Sequence, residues 1–253
     1  MSAAVTGAAL ASLAFTATAG AATKVSAAPR ARVEHSAHAQ SPNFAGYAVS
    51  GLAGAAVTSA FAGFTVPSVT CAATESSGVV PMAEVFNSNG TAYAAGGVFV
   101  ACSNGKPVYQ SYIAINNYVP TTLYFKPAAG DKISAAVKQT SAGATVTLKD
   151  ITQKRSQTLT LFGSLFAGSD DTSNIGVSGV TMNGVNVPNC SFGAFSFTRA
   201  WTNGVSIGTL PNTAYDEATP TSTGAGPSVQ IMTSPLSKAG NWFRTTLMRT
   251  PSK

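Results

Sequence analysis

Residues 41–49 read SPNFAGYAV, and residues 96–115 read GGVFVACSNGKPVYQSYIAI. In the first stretch Phe44, Gly46 and Ala48 alternate with Ala45, Tyr47 and Val49, the two-residue period of a strand rather than a helical period. In the second, two apolar runs flank Ser103-Asn104-Gly105, a turn sequence. The same grammar continues outward. VTSAFAGFTV (57–66) stops at Pro67; DKISAAVKQ (131–139), ATVTLKDI (144–151), SQTLTLF (156–162), SFGAFSFTRAW (191–201), PSVQIMT (227–233) and NWFRTTLMRT (241–250) follow. Each run is bounded by Gly, Pro, Asn, Asp or Ser. Short strands with regular turn punctuation predict an all-β antiparallel sandwich or barrel. Further turns are expected at Asn89-Gly90, Ala129-Gly130-Asp131, Ala142-Gly143 and Asn183-Gly184. No segment has the pattern of a long amphipathic helix, and no internal repeat is visible. The Thr-, Pro- and Gly-rich stretch from Asn212 to Pro227 reads as a surface loop before the last two strands.

Composition agrees. Of 253 residues, 45% are hydrophobic and only 9% are charged, against roughly 25% charged in ordinary soluble domains. Ala, Gly, Ser, Thr and Val take the place of the missing charge. Such a mixture suits strands and turns and leaves little for the wet faces of helices. A sandwich of this length is commonly one domain. The net charge is +6. The cations are spread singly along the chain, with Lys154-Arg155 the only adjacent pair in the domain. That distribution reads as a mildly basic surface and argues against a nucleic-acid partner.

Residues 1–23 read as a signal peptide. From Ser2 to Thr23 there is no charge, and the small-residue apolar stretch ends in A-x-A-like sites near Ala19 to Ala22, or later at Ser26-Ala27-Ala28. No Lys or Arg precedes it, which is unusual for such a leader. An uncleaved membrane anchor is the rival, disfavoured because Ala, Gly and Thr are weakly apolar. Residues 24–40 read as a linker or short pro-segment, and 41–253 as the sandwich domain. A secreted protein is expected, without stable membrane insertion and monomeric. In an oxidising compartment Cys71 and Cys102, both at strand ends, are expected to pair, leaving Cys190 as a buried thiol.

The domain from residue 41 onward contains no histidine, because His35 and His38 precede it. A Ser-His-Asp or Cys-His site within it is excluded, and no zinc-ligand spacing, phosphate loop or dinucleotide fingerprint is present. No metal or cofactor is expected. Most carboxylates fall at turns or in polar loops: Asp131, Asp150, the pair Asp170-Asp171 and the pair Asp216-Glu217. Glu84 differs, because it interrupts the apolar run VVPMAEVF. Its ordinary reading is the wet face of a strand. Tyr109, Tyr112 and Tyr118 could line a groove, although alternating aromatics are usually core.

The order of motifs resembles the glutamic peptidases, or eqolisins, in particular their bacterial branch, from Asn43 to about Thr250. SPNFAGYAV resembles the family's opening strand, with Phe44 where Trp is usual. FTVPSVTC resembles the next block. GGVFVACSNGKPVYQSYIAI resembles the segment that normally reads QTG, then a Cys, then a YYAWYE-like strand. PAAGDKISAAV, FGAFSFTRA and the closing IMT…WFRTTL fit the remaining strands in order. The resemblance implies a concanavalin-like sandwich of two bent antiparallel sheets with a substrate groove. In the family a Gln and a Glu on the groove floor activate water against a peptide bond at acidic pH. Glu serves as general base and acid, and Gln polarises the carbonyl and holds the oxyanion.

Matched residue by residue, the chain departs from that pattern at the dyad. QTG falls on Ala95-Gly96-Gly97, so Ala95 stands at the Gln position. The AEWIVE-like block falls on Ser173 to Ser178, so Asn174 stands at the Glu position; a slip of a few residues would bring in Asp170 or Asp171 instead. A groove Glu becomes Ala114, and the W-V-G-like block becomes Met82-Ala83-Glu84. Phe44, Met82, Glu84, Gln110, Tyr112 and Ala114 are the groove candidates. Three readings follow. One is a non-catalytic relative whose groove takes an extended peptide or another polymer. Another is an acid endopeptidase with a relocated pair such as Glu84 with Gln110. The third is a carbohydrate-binding sandwich.

Overall fold

The computed structural model describes residues 38–248 apart from 51, 53–54, 88–91, 117, 119–124, 164–170, 183–184 and 220–227. Its first eight strands are β1 (His38–Ser41), β2 (Phe44–Val49), β3 (Ser59–Thr65), β4 (Ser76–Phe86), β5 (Tyr93–Ser103), β6 (Lys106–Ile115), β7 (Lys132–Thr140) and β8 (Gly143–Asp150). The next six are β9 (Arg155–Phe162), β10 (Thr172–Gly179), β11 (Thr181–Met182), β12 (Val185–Asn186), β13 (Ala194–Thr202) and β14 (Val205–Ser206). The last three are β15 (Asn212–Thr219), β16 (Ser228–Thr233) and β17 (Trp242–Leu247), and the one short helical turn is Ile207–Thr209. The all-β expectation holds, and among the described residues no helix is long and apolar enough to cross a membrane. The turns at Asn89-Gly90 and Asn183-Gly184 lie outside the described residues.

One hydrogen-bonded path carries the fold, in the order β6-β5-β4-β10-β2-β15-β16-β17-β13-β3-β7-β8-β9, with β1 added on β15 and β14 on β13. It closes on itself as a sandwich does. The half β6-β5-β4-β10-β2 packs against the half β17-β13-β3-β7-β8-β9, and β15 with β16 make the joint. Between the halves lies one apolar core. Tyr47 meets Phe243 edge to face at 5.0 Å, and Phe243 stacks on Phe197 at 4.8 Å. The sheets approach so closely at Gly96 that a Cβ there would stand 2.7 Å from Val146 Cγ1. The disulfide Cys71–Cys102 is present, and Cys190 is a buried free thiol. The Ser103-Asn104-Gly105 turn is realised with φ of 51° at Asn104 and 73° at Gly105, positive values that Asn and Gly tolerate best.

Two sequence expectations are corrected. Asn212–Thr219 is not loop but β15, paired with β2, β16 and β1. Several of its polar groups have individual partners: Asp216 accepts from the Thr233 N–H at 2.7 Å, and Asn212 donates to Ile207 O and Leu210 O. His38–Gln40, placed in the linker by sequence, run parallel to β15 within β1. His38 lies 3.6 Å from Asp216.

Candidate functional site

Strand register assigns each side chain to a face. Glu84 on β4 lies opposite Ala95 on β5 and opposite Asn174 on β10. Ala95 lies opposite Ala114 on β6, and Asn174 opposite Ala48 on β2. Because side chains alternate along a strand, all five point away from the central core. The neighbouring row adds Met82, Gly97, Tyr112 and Gly176. The six groove candidates therefore share one face: Phe44, Met82, Glu84, Gln110, Tyr112 and Ala114. A second, smaller apolar cluster forms here from Val80, Met82, Ala95 and Val180, with Tyr93, Phe99 and Tyr112 packed against it.

The glycines of this face let the strands and rings close in. A Cβ on Gly97 would stand 2.2 Å from Pro81 O, and one on Gly176 2.2 Å from Ala45 O. The Phe44 ring lies over Gly46 and Gly176, where a Cβ on either would meet it at 2.9 Å. On its far side Phe44 meets Tyr215 edge to face at 6.1 Å.

Glu84 is the chemical centre of the face, and it is not on a wet surface. Its relative exposure is 3%, beside 5% at Asn174 and 1% at Ala95. Asn174 Nδ2 donates to a Glu84 carboxyl oxygen at 3.4 Å. Burial pushes the Glu84 carboxyl up to about 7, and the Asn174 hydrogen bond offsets only part of that rise. The Tyr93 and Tyr112 phenols lie near it and near each other. Both phenols are shifted upward, first by burial and then by neighbouring groups that include Glu84. Gln110, the suggested partner, sits opposite Phe99, four residues along β6 from Ala114. The amide beside Glu84 is therefore Asn174, not Gln110.

The other sequence candidates lie apart. Asp171 is buried and accepts from Gln139 Nε2 at 2.5 Å, directed to β7 rather than to Glu84. Asp170 lies outside the described residues. Tyr109 packs into the central core, and Tyr118 is exposed. Among the described residues no cluster of His, Cys, Asp and Glu could hold a metal ion.

Sequence reasoning missed Tyr93, Asn189 and Glu217. Tyr93 was readable from its two-residue offset to Ala95. Glu217 had no signal, because β15 looked like loop. It is buried and accepts from Asn189 Nδ2 at 2.7 Å, and burial raises its carboxyl to about 7. Its second oxygen and Asn189 Oδ1 are both buried without another partner.

This sandwich, with a carboxyl and a carboxamide in register on the adjacent interior strands β4 and β10, has the fold of the glutamic-peptidase-like class. The peptidase A4 family profile matches residues 42–233, and the chain belongs to that family. Among solved structures, scytalido-glutamic peptidase bound to a transition-state analogue inhibitor superposes with a TM-score of 0.62 at 17% identity, covering 82% of this chain and 98% of that one. SCP-B, an eqolisin in complex with a tripeptide, gives 0.60 at 17% identity, with the same coverages of 82% and 98%. Aspergilloglutamic peptidase from Aspergillus niger gives 0.50 at 21% identity, covering 67% and 99%. No curated protein sequence matches the chain significantly.

Proposed function

We propose that the chain is an exported, glutamic-peptidase-like protein that does not hydrolyse peptide bonds by the family's Glu/Gln chemistry. One observation carries this reading: Glu84 stands in lateral register between Ala95 and Asn174, and all three are buried. If those two positions correspond to the family's dyad, the carboxyl of Glu84 rises from the strand between them, where water and a scissile carbonyl would have to fit. A methyl group at Ala95 offers no hydrogen bond to an oxyanion. Asn174 cannot take and return a proton. Glu84, with its carboxyl raised to about 7, is protonated in acid and so lacks the base form the chemistry requires. Export is supported by the uncharged leader-like residues 2–23 and by the disulfide. What this face still offers a ligand is its rim, where Gln110 and Tyr112 are only half-buried, and an extended peptide is the ligand assigned to it.

A second reading has its own observation. Glu84 and Asn174 are themselves a hydrogen-bonded carboxyl and carboxamide, the two functional groups of the family's dyad in a new arrangement. Hydrolysis of an unfolded protein substrate between about pH 2 and 7 separates the two. The non-catalytic reading expects background turnover throughout. Cleavage by the wild type that disappears in Glu84→Gln establishes the relocated pair and overturns it.

A further inference from the structure

We infer that the outward face of the second half of the sandwich binds an acidic polysaccharide. The cations that look scattered in sequence are assembled there by register. Lys138 and Lys149 lie on β7 and β8 with outward-facing neighbours, and Lys132 lies at the end of the same face. Arg244 on β17 and Arg199 at the β13 bulge complete it. All five are exposed. The one carboxylate within these six strands, Asp150, is buried at the opposite parity, opposite Ile133. No described carboxylate therefore compensates the five cations on this face.

The rest of the surface is aromatic and hydroxylic. One lateral row runs Trp242, Thr198, Gly63, Ser134, Lys149 and Ser156. The next runs Trp201, Phe61, Ala136, Thr147 and Thr158. Gly63, Ser134 and Ala136 have short side chains, so these rows dip between the indoles on one flank and the lysines on the other. Trp201 lies 5.7 Å from Phe61, and the Arg199 guanidinium sits 5.6 Å over the same Phe61 ring. Threonine hydroxyls pair across strands at 3.0 Å (Thr145–Thr160) and 3.1 Å (Thr147–Thr158). Six strands at roughly 4.8 Å spacing make a face about 24 Å wide, room for several sugar rings.

The chemistry selects the ligand. Exposed indole faces accept the C–H faces of sugar rings. Rows of Thr and Ser hydroxyls exchange hydrogen bonds with sugar hydroxyls. Uncompensated Lys and Arg require repeated negative charge on the same polymer. A neutral glycan leaves the cations unused. An anionic membrane leaves the hydroxyl trough unfilled. Duplex DNA is wide and curved, whereas this surface is a shallow sheet face. The disulfide suits an oxidising compartment outside the cytosol, where polyanions other than nucleic acids are the available partners.

The experiment uses the full exported chain with polygalacturonate as probe, and dextran, duplex DNA and phosphatidylglycerol vesicles as comparators. Binding is read by calorimetry and affinity electrophoresis. The expected result is salt-sensitive binding of polygalacturonate and none of dextran. Trp201→Ala/Trp242→Ala and, separately, Lys138→Gln/Lys149→Gln each weaken it by about tenfold or more while both proteins keep their melting temperature. No binding of polygalacturonate overturns the inference. So does binding unchanged in the lysine variant, or tighter binding of DNA or vesicles than of polygalacturonate. This face is remote in register from Glu84, so the outcome is independent of the peptidase question.

Discussion

Replacing Glu84 by Gln should stabilise the protein at neutral pH and leave it unchanged in acid. Folding buries the carboxyl and raises it from 4.5 to about 7. Below pH 4.5 the group is protonated in both the folded and unfolded states and contributes no pH dependence. Between those values the folded chain holds a proton that the unfolded chain has released, so stability falls as pH rises. Above about 7 the full penalty applies. A shift of about 2.5 units at about 1.36 kcal/mol per unit gives about 3 kcal/mol. No discount for solvent screening is due, because the side chain is buried. Glutamine keeps the size and an acceptor for Asn174 but has no proton to lose. For a domain of this size about 3 kcal/mol corresponds to roughly 6–12 °C in melting temperature. Thermal unfolding of wild type and Glu84→Gln should therefore diverge by that amount at pH 8 and coincide at pH 4. A difference between the two proteins that stays constant from pH 4 to 8 would falsify the argument, as would a wild type that gains stability across that range.

Glu217→Gln should show the same sign and the same pH window, since burial raises that carboxyl to about 7 too; melting curves of the double variant test whether the two effects add. Gly97→Ala should cost about 2–4 kcal/mol or abolish folding, because its Cβ would stand 2.2 Å from Pro81 O in a backbone that cannot move aside; urea unfolding measures it. Peptide mapping without reduction should recover Cys71 linked to Cys102. Opening that bridge, which closes a loop of 31 residues, should cost about 3–4 kcal/mol. Cys190, buried and pushed up to about 12, should resist alkylation until the protein unfolds. Secreted material should begin between Thr23 and His38, because β1 uses His38; N-terminal sequencing that starts beyond His38 counts against it.

Whereas β4 and β10 are covered on both faces and carry no such alternation, β7, β8 and β9 were legible because each buries one face and its sequence alternates accordingly. β15 was not, because NTAYDEAT is paired on several sides and meets its polar needs through particular partners such as Thr233 and Asn189. No local pattern encodes those partners. Glu84 was conspicuous as a carboxylate in an apolar run, yet sequence could not say that both faces of β4 are covered. That burial comes from side chains on β5, β6 and β10. The partner of Glu84 was misread for the same reason: which strand flanks β4, and in what register, is not written in the local sequence, and it places Asn174 of β10 opposite Glu84 and Gln110 two strands away on β6. The assembly of lysines and arginines was invisible for the same reason, since it joins strands far apart in the chain.

The wiring of the sheet also sets an order in time. β2 finds its neighbours in β10 and β15, β3 in β7 and β13, and β1 in β15 alone among the described strands. The first strand thus has no place to dock until β15 has been made, and β2 has none until β10 has. Closing such long loops before any contact rewards them slows folding. Such a chain sets late, when β15 arrives and the first strand lies down beside it.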